Sequence, residues 1–235
     1  MRIIRAVIII ISCFLSFLKV QSQNSTEVEP IVASRYLEDQ FYAGLAYNVL
    51  LNKPEGVIQR NLSYGLQLGF IKDIPINTKR NFGFGLGVGY GTNSYYSNII
   101  AEDLGSDINY RLPIAADSLN RTKFETHAVE FPFELRWRTS NATDYKFWRI
   151  YGGVKAAYLF SRKSKFISEN KNSNISFQNN DISQWQYGLT LNFGYNTWNV
   201  HLYYSLNRLL ENNATLNNEA IEIQPLRVGV IFYIL

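Results

Sequence analysis

The sequence has few of the residue types that carry most site chemistry. It contains one cysteine and two histidines among 235 residues, which excludes a disulfide scaffold and a multi-ligand zinc module. Beyond the N-terminus it lacks any apolar run of about 18 residues, which excludes a helical membrane protein. Charged residues make up 18% of the chain, below the roughly 25% of an average soluble domain.

Aromatic residues, in contrast, are abundant. They make up 15% of the chain, with 16 Tyr, 15 Phe and 4 Trp, and this ring content excludes a disordered chain. Hydrophobic residues reach 46%, yet the mean hydropathy is only −0.14. This combination is typical of a β-protein in which apolar and polar residues alternate.

The first 22 residues predict a secretory signal peptide. Arg2 and Arg5 precede an apolar run over 6–18, and small and polar residues follow, so we expect cleavage near Ser22 or Gln23. Cys13 loosely fits a lipoprotein signal, but the apolar run continues past it, which makes a lipoprotein the weaker alternative.

Removal of this segment changes the charge balance. Without Arg2, Arg5 and Lys19 the chain keeps 20 basic and 19 acidic residues, a net charge of +1. The pI near 9.0 therefore gives no support for nucleic acid as a partner. Residues 23–40 are polar with scattered acids, and we interpret them as a periplasmic lead-in to a barrel domain over 41–235.

From residue 41 onward, apolar and polar residues alternate with a period of two, which indicates β-strands. In the clearest segment, phenylalanine, leucine, valine and tyrosine alternate with the five glycines between Gly83 and Gly91. Most segments reach the 9–11 residues that a tilted strand needs to cross a bilayer. We therefore predict an all-β fold, an eight-stranded antiparallel up-and-down transmembrane β-barrel. The eight segments are 41–50, 62–71, 82–92, 123–138, 147–160, 184–195, 198–206 and 220–235.

Three features favour a membrane barrel over a soluble secreted barrel with its apolar face inward. The polar face carries Gly, Asn, Ser, Gln and Thr rather than the charges of a water-exposed surface, and rings gather near the segment ends, as in aromatic girdles. Long connections alternate with short ones, so we predict an outer-membrane barrel, surrounded by lipid, with both termini in the periplasm. The long connections are 51–61, 93–122, 161–183 and 207–219.

A barrel of eight strands encloses little space, so we expect a filled interior rather than a water-filled channel. The fourth and fifth segments are neighbours, so their acids and bases can pair, and the glycines of the third segment leave room for Glu130, Glu134 and Arg136. We interpret the charges as ion pairs that fix the register, with a proton or ligand site as the alternative. Pro132 cannot donate to the ladder and predicts a bulge or local irregularity. The predicted lumenal polar cluster comprises Glu130, Glu134, Arg136, Arg149, Lys155, His201 and Arg227.

No catalytic, metal or cofactor site is predicted. His127 has outward parity and His201 lumenal parity, and neither has serine and aspartate at a spacing that indicates a triad. Two distant histidines do not make a metal site. A small barrel enzyme that uses these histidines stays as an alternative. Asp117-Ser118-Leu119 resembles a short O-glycosylation pattern of Bacteroidota, which makes Ser118 a candidate for modification.

The C-terminus ends with a patterned strand. Gly229, Phe232 and Ile234 follow an order of polar, glycine, aromatic and hydrophobic residues over 227–235. This order resembles the C-terminal signal that the outer-membrane assembly machinery reads, so we expect that machinery to be a partner.

Three blocks are similar to the PorT (SprT) family of Bacteroidota: FPFELRWRTS (131–140), YKFWRIY (145–151) and YGLTLNFGYNTWN (187–199). The resemblance covers 41–235. It implies a non-enzymatic outer-membrane barrel of the type IX secretion system, needed for export of surface and secreted proteins and of gliding adhesins where present. Other components of that system would be its partners. The alternative is a stand-alone structural or adhesin barrel that acts through its loops at 93–122 and 161–183.

Overall fold

A computed structural model describes residues 39–234, except 78, 106, 115–118, 140–146, 169–173 and 212. The predicted signal peptide, nearly all of the lead-in and Ser118 therefore lie outside the described residues. In the part of the chain that is described, no helix is long and apolar enough to cross a membrane. The strands are β1 Gln40–Leu51, β2 Tyr64–Pro75, β3 Phe82–Ser97, β4 Ile100–Asp103, β5 Ile108–Arg111, β6 Leu119–Arg138, β7 Trp148–Ser168, β8 Ile175–Gln178, β9 Trp185–Tyr195, β10 Trp198–Ser205, β11 Thr215–Leu216, β12 Glu219–Ala220 and β13 Gln224–Ile234.

Eight of these strands close into a barrel. The order is β6-β3-β2-β1-β13-β10-β9-β7, and β7 pairs back onto β6. Each barrel strand pairs antiparallel with the strand next to it, and the first and last strands meet with Phe41 opposite Ile234. The predicted eight-stranded antiparallel up-and-down barrel is confirmed. Closure leaves no unpaired edge, which is the condition for a sheet to stand in lipid.

The connections differ in length at the two ends of the barrel. At one end, here the long-loop end, the chain passes through 52–63, 98–118, 169–184 and 206–223, whereas at the other, the turn end, it passes through 76–81, 139–147 and 196–197. The predicted alternation of long and short connections is therefore confirmed.

Three strands are longer than their patterns indicated. β3 runs to Ser97, β6 starts at Leu119 and β7 runs to Ser168, so the loop predictions over 93–122 and 161–183 were wrong at these boundaries. On β6 beyond His127 the outward positions carry charge while the buried inward positions carry Phe124 and two threonines. The apolar side of β6 thus changes from the outer to the inner face beyond His127, so the alternation with one continuous apolar face ends there.

Two other boundaries also move. The second strand is Tyr64–Pro75 rather than 62–71, and the last is Gln224–Ile234 rather than 220–235, because 219–220 belong to β12. Pro132 brings the predicted local irregularity rather than a bulge: its register to β7 is continuous, while the ladder to β3 has no pair at Phe131 or Pro132. A missing N–H removes a ladder bond without inserting a residue. Two register shifts lie elsewhere on the described β6–β7 ladder: one between Leu119 and Arg121, and a bulge between His127 and Ala128.

Along the barrel wall, outward side chains are apolar and inward ones are small or polar. Aromatic rings collect on the outward face in two bands, as in membrane barrels. Nearer the long-loop end the rings include Tyr47, Tyr64, Tyr90, Tyr158, Phe160, Trp185, Tyr187 and Tyr204; nearer the turn end they include Phe41, Phe82, Phe84, Trp137, Trp148, Tyr195, Trp198 and Phe232.

The long-loop end is closed by a cap. Its loops form a second sheet in the order β12-β11-β5-β4, and buried apolar side chains from these loops pack on the inner faces of the strand ends. We call this group the apolar cap. Its fully buried members include Tyr95, Ile99, Phe124, Leu159, Ile182, Leu209, Leu210, Leu216, Ile221 and Ile223.

Candidate functional site

The interior of the barrel holds two groups of buried charges. The group nearer the turn end is built on Arg136, whose Nη1 donates to Asp73 Oδ1 at 2.9 Å and whose Nε donates to Glu134 Oε2 at 3.1 Å. Arg138 Nη2 donates to the other oxygen of Asp73 at 2.9 Å. Each of these side chains is almost completely buried. The two arginines therefore bind the carboxylate of Asp73 from both sides.

The second group lies nearer the middle of the barrel and is built on Glu130. Lys155 Nζ donates to Glu130 Oε2 at 2.8 Å and to Gln67 Oε1 at 2.6 Å. Arg227 lies 3.4 Å from the other oxygen of Glu130 and also donates to Tyr95 Oη at 3.3 Å. These residues come from five different strands, so their bonds cross the lumen rather than follow one wall.

The remaining interior volume near this group is small. A cavity of about 10 Å³ is lined by Gln67, His201, Arg227 and their neighbours, which is room for about one water molecule. A lumen filled in this way is a packed plug, and it leaves no channel for a polypeptide.

His201 lies in the lumen, as its parity predicts. Its Nδ1 is 2.6 Å from Asn192 Oδ1, and Asn192 Nδ2 donates to Glu134 Oε1 at 3.0 Å. The imidazole therefore joins the Glu134 group through an amide. A catalytic histidine instead needs a nucleophile on one side and an orienting carboxylate on the other.

The expected pairing across the fourth and fifth segments is confirmed for Glu130 and Lys155 but not for Arg149, which has no acidic partner among the described residues. Its guanidinium packs against rings instead, 4.6 Å from the centroid of Phe147 and 5.5 Å from that of Tyr233. In the β6–β7 register Arg149 lies opposite Arg138, and Glu134 already forms an ion pair with Arg136. Buried cations contact ring faces favourably because of the ring quadrupole.

The glycines of β3 provide space for the charges, as predicted for Glu130 and Arg136. A Cβ at Gly91 would lie 2.5 Å from Glu130 Oε1, and one at Gly85 would lie 2.6 Å from Arg136 Nε. The space at Gly89 is taken by the hydroxyl of Tyr42 rather than by a charge. Because β3 has no side chains at these glycine positions, long side chains from β1 and β6 lie directly against its backbone.

Several residues of this site escaped sequence reasoning. Asp73 lies in the part of β2 that falls beyond the predicted segment, so its place opposite Arg136 was hidden. Inward-facing tyrosines also contact these charges. The rings of Tyr151 and Tyr233 lie against Arg136, and the ring of Tyr203 lies against Arg227. Their inward position on the strands was the signal that could have found them.

His127 lies on the outward face, in agreement with its parity, and forms a second polar cluster there. Its Nδ1 is 2.6 Å from Tyr90 Oη and its Nε2 is 3.7 Å from Glu125 Oε1. Lys165 Nζ is 2.9 Å from the same carboxylate oxygen, and Lys123 binds the other oxygen. Burial raises the pKa of Glu125, but the two ammonium groups lower it more strongly, to about 2.

The described residues contain no group of three or more His, Cys, Asp or Glu side chains that could hold a metal ion. The chemical role of these contacts is to neutralise the carboxylates of the site by lysine and arginine. The lumenal groups tie non-adjacent strands together, and the outward cluster keeps a carboxylate ionised at the edge of the aromatic band.

The fold and the interior define an outer-membrane type of barrel, and a family comparison agrees. The family model described as "Outer membrane protein beta-barrel domain" matches residues 21–211. The chain therefore belongs to this family of outer-membrane β-barrel proteins.

Two solved structures illustrate the similarity. Ail, the attachment invasion locus protein of Yersinia pestis, is 14% identical, with 83% of this chain and 97% of Ail covered and a TM-score of 0.35. A triple mutant of the Rhodopseudomonas blastica porin is 10% identical, with 83% and 99% covered and a TM-score of 0.15. Among curated proteins no significant match is found. Because these TM-scores are low, the assignment to the outer-membrane barrel family rests on the family model alone.

Proposed function

We propose that this barrel is a non-enzymatic component of the type IX secretion system, needed for export of surface and secreted proteins and of gliding adhesins where present. The similarity of 131–140, 145–151 and 187–199 to the PorT family carries the proposal. The cross-lumen bonds of Glu130, Lys155 and Arg227 support a role by contact, because a filled barrel cannot conduct a folded or extended chain. Other secretion components would bind its loops, its lipid-facing wall or its lead-in.

We propose further that the turn end and both termini face the periplasm. Short turns on that side and long loops outside are the usual arrangement of outer-membrane barrels. The assembly machinery would read Gly229, Phe232 and Ile234 on β13. On that strand Phe232 and Ile234 face outward, and Gly229 packs against the β1 backbone at Leu45 and Ala46.

Deletion of the gene in a host that uses type IX secretion tests the role. The expected result is that cargo accumulates in the periplasm and is lost from the surface and medium, and that the wild-type chain restores export. Levels of an unrelated outer-membrane porin serve as the control for general envelope damage. Cargo that reaches the surface normally without this protein would contradict the proposal.

The second candidate is a stand-alone structural or adhesin barrel. The ordered cap favours it, because β11 and β12 present an exposed turn at Asn217 and Asn218 above a well-packed base. Replacement of this turn by Gly-Ser would reduce attachment to surfaces and leave cargo export unchanged if the second candidate is right. Loss of cargo export, which would itself remove exported adhesins from the surface, would favour the secretion role.

The absence of enzymatic activity is part of the first proposal and has its own test. His127→Ala and His201→Ala are the two variants that would silence a histidine-dependent barrel enzyme. We expect the lipid A and phospholipid profiles of the host to be unchanged by either. A changed acyl or headgroup pattern would contradict a non-enzymatic role.

A further inference from the structure

The outward face of the barrel carries one concentrated group of cations. They lie on the hairpin of β6 and β7, which continues beyond the aromatic band at the long-loop end. We call this group the cationic patch, and its members are Arg121, Lys123, Lys163 and Lys165. The register places Lys123 opposite Lys165 and Glu125 opposite Lys163.

The bulge at His127 sets the direction of these side chains. On β7 the even-numbered side chains face outward as far as Phe160. Beyond the bulge Ser161 pairs with His127, and from there on the odd-numbered side chains of β7 face outward. Lys163 and Lys165 therefore face the same side as Lys123. Without that register shift the two lysines would point toward the cap, away from the membrane surface.

The charges in the patch do not cancel. Among the described side chains that face this side, Glu125 is the one acid, and Lys123 and Lys165 both bind it. His127 also faces this carboxylate. Within the described part of the chain, Arg121 and Lys163 have no acidic partner, and both are exposed. The patch therefore presents an excess of positive charge to whatever lies beside the wall.

The depth of the patch indicates what lies beside it. Tyr90, His127 and Phe160 form a ring contact at the edge of the apolar wall, with centroids 6.1–6.3 Å apart. Lys163 and Lys123 follow at two and four residues beyond His127, or about 7 and 14 Å along strands that rise about 3.4 Å per residue. Arg121 follows two residues further out, at about 20 Å along the strand. With the usual strand tilt of about 40°, Lys163 lies within the headgroup region. Lys123 and Arg121 lie at and beyond its outer edge, from which their long side chains reach back toward the headgroups.

We infer that the cationic patch binds the phosphate groups of a lipid headgroup. Exposed lysine and arginine at this depth attract anionic headgroups, and arginine forks match phosphate oxygens. Glu125 does not oppose this, because two lysines already neutralise it. The inference is independent of the secretion role and of which end of the barrel faces outward.

The test measures lipid retention on the purified, folded full-length barrel by native mass spectrometry. The probes are diphosphorylated lipid A and its dephosphorylated form, each mixed with phosphatidylcholine at one ionic strength. We expect the wild-type protein to retain the diphosphorylated form preferentially. Loss of two cations at an anionic surface should reduce this preference on the order of ten-fold in the variant Arg121→Gln with Lys163→Gln.

The matched control removes the same charge elsewhere. Lys53→Gln with Lys79→Gln alters two exposed lysines, one in the 52–63 loop and one at the turn end, and should retain the wild-type preference. Heat-modifiable gel mobility verifies that every variant is folded. Equal retention of the two lipid A forms, or equal loss in patch and control variants, would overturn the inference. Displacement of the lipid by millimolar inorganic phosphate would do so too, because it would assign the patch to soluble anions.

Discussion

The barrel interior and the apolar cap are both buried, but they are built from opposite kinds of residue. Inside the wall the buried side chains are charged or amide groups such as Glu130, Arg136 and Asn192, whereas at the long-loop end they are apolar, such as Ile99 and Leu209. The difference follows the surroundings. On the barrel wall, where lipid covers the outside, the outward side chains are apolar and the inward side chains are polar. Where water surrounds the chain, apolar residues are buried as in a soluble domain.

This contrast implies two different sources of stability. The interior depends on directed ion pairs in a low-dielectric space, where loss of one partner leaves another charge buried. The cap depends on close packing of apolar surface, where loss of a side chain leaves a cavity. Variants in the two regions should therefore differ in the size of their effect and in what they unfold.

The largest effect is expected from Arg136→Ala. It leaves Asp73 and Glu134 buried without their shared partner and should lower the free energy of unfolding by about 3–5 kcal/mol. Urea unfolding in lipid vesicles measures it. Arg60→Ala, at an exposed loop position, is the control and should change stability by less than about 0.5 kcal/mol. Equal effects of the two variants would show that the interior ion pairs do not hold the barrel.

Leu209→Ala tests the cap. This fully buried side chain should cost about 2–4 kcal/mol, and the loss should appear as faster proteolysis and hydrogen exchange of 206–223 while the barrel stays heat-modifiable. Leu206→Ala is the control in the same loop, since Leu206 is 51% exposed. Simultaneous unfolding of barrel and cap would contradict the separation of the two regions.

A smaller effect is expected where glycine makes room for a charge. Gly91→Ala places a Cβ 2.5 Å from Glu130 Oε1, so Glu130 must move relative to Lys155 and Arg227, at a cost of about 1–3 kcal/mol. Gly152→Ala is the matched control, because the nearest atom to its Cβ is 3.9 Å away. Thermal unfolding compares the two. A tolerated Gly91→Ala would indicate that the Glu130 group is loosely held.

The smallest effect concerns an ion pair on the outer face. Two lysines lower the pKa of Glu125 to about 2 against the opposing effect of burial. A lowered pKa means that the stabilisation is fully present above the ordinary value near 4.5 and is lost as the pH falls through about 2. Solvent screening keeps its size below about 1 kcal/mol. Hydrogen exchange of the β6–β7 hairpin as a function of pH measures it, and Glu125→Gln should remove the dependence.

Much of the barrel wall could be predicted because its pattern is local. Period-two alternation assigns each residue of the eight predicted segments to a face, and the barrel strands agree with it within most of those segments. The pattern failed beyond His127, where bilayer gives way to water and the apolar face changes side. It also failed at Asp73, because a charged inward residue at the end of β2 ended the predicted segment early.

The sequence predicted less well which acid pairs with which base in the interior. Parity placed Glu134, Arg136 and Arg149 in the same interior, but which acid meets which base depends on register, side-chain length and the glycines opposite. Glu134 contacts Arg136 of its own strand, and Arg149 contacts rings. Tyr42 occupies the space at Gly89, where a charged side chain was predicted.

The sequence by itself determined the number of barrel strands, the face on which most wall residues lie and the end at which the long loops gather, because strand alternation depends only on residue order. The tertiary structure decided which strands the ion pairs join, how the loops fold into a cap and where the cationic patch points. These features depend on contacts between residues far apart in the chain, and a single bulge at His127 sets the direction of the patch.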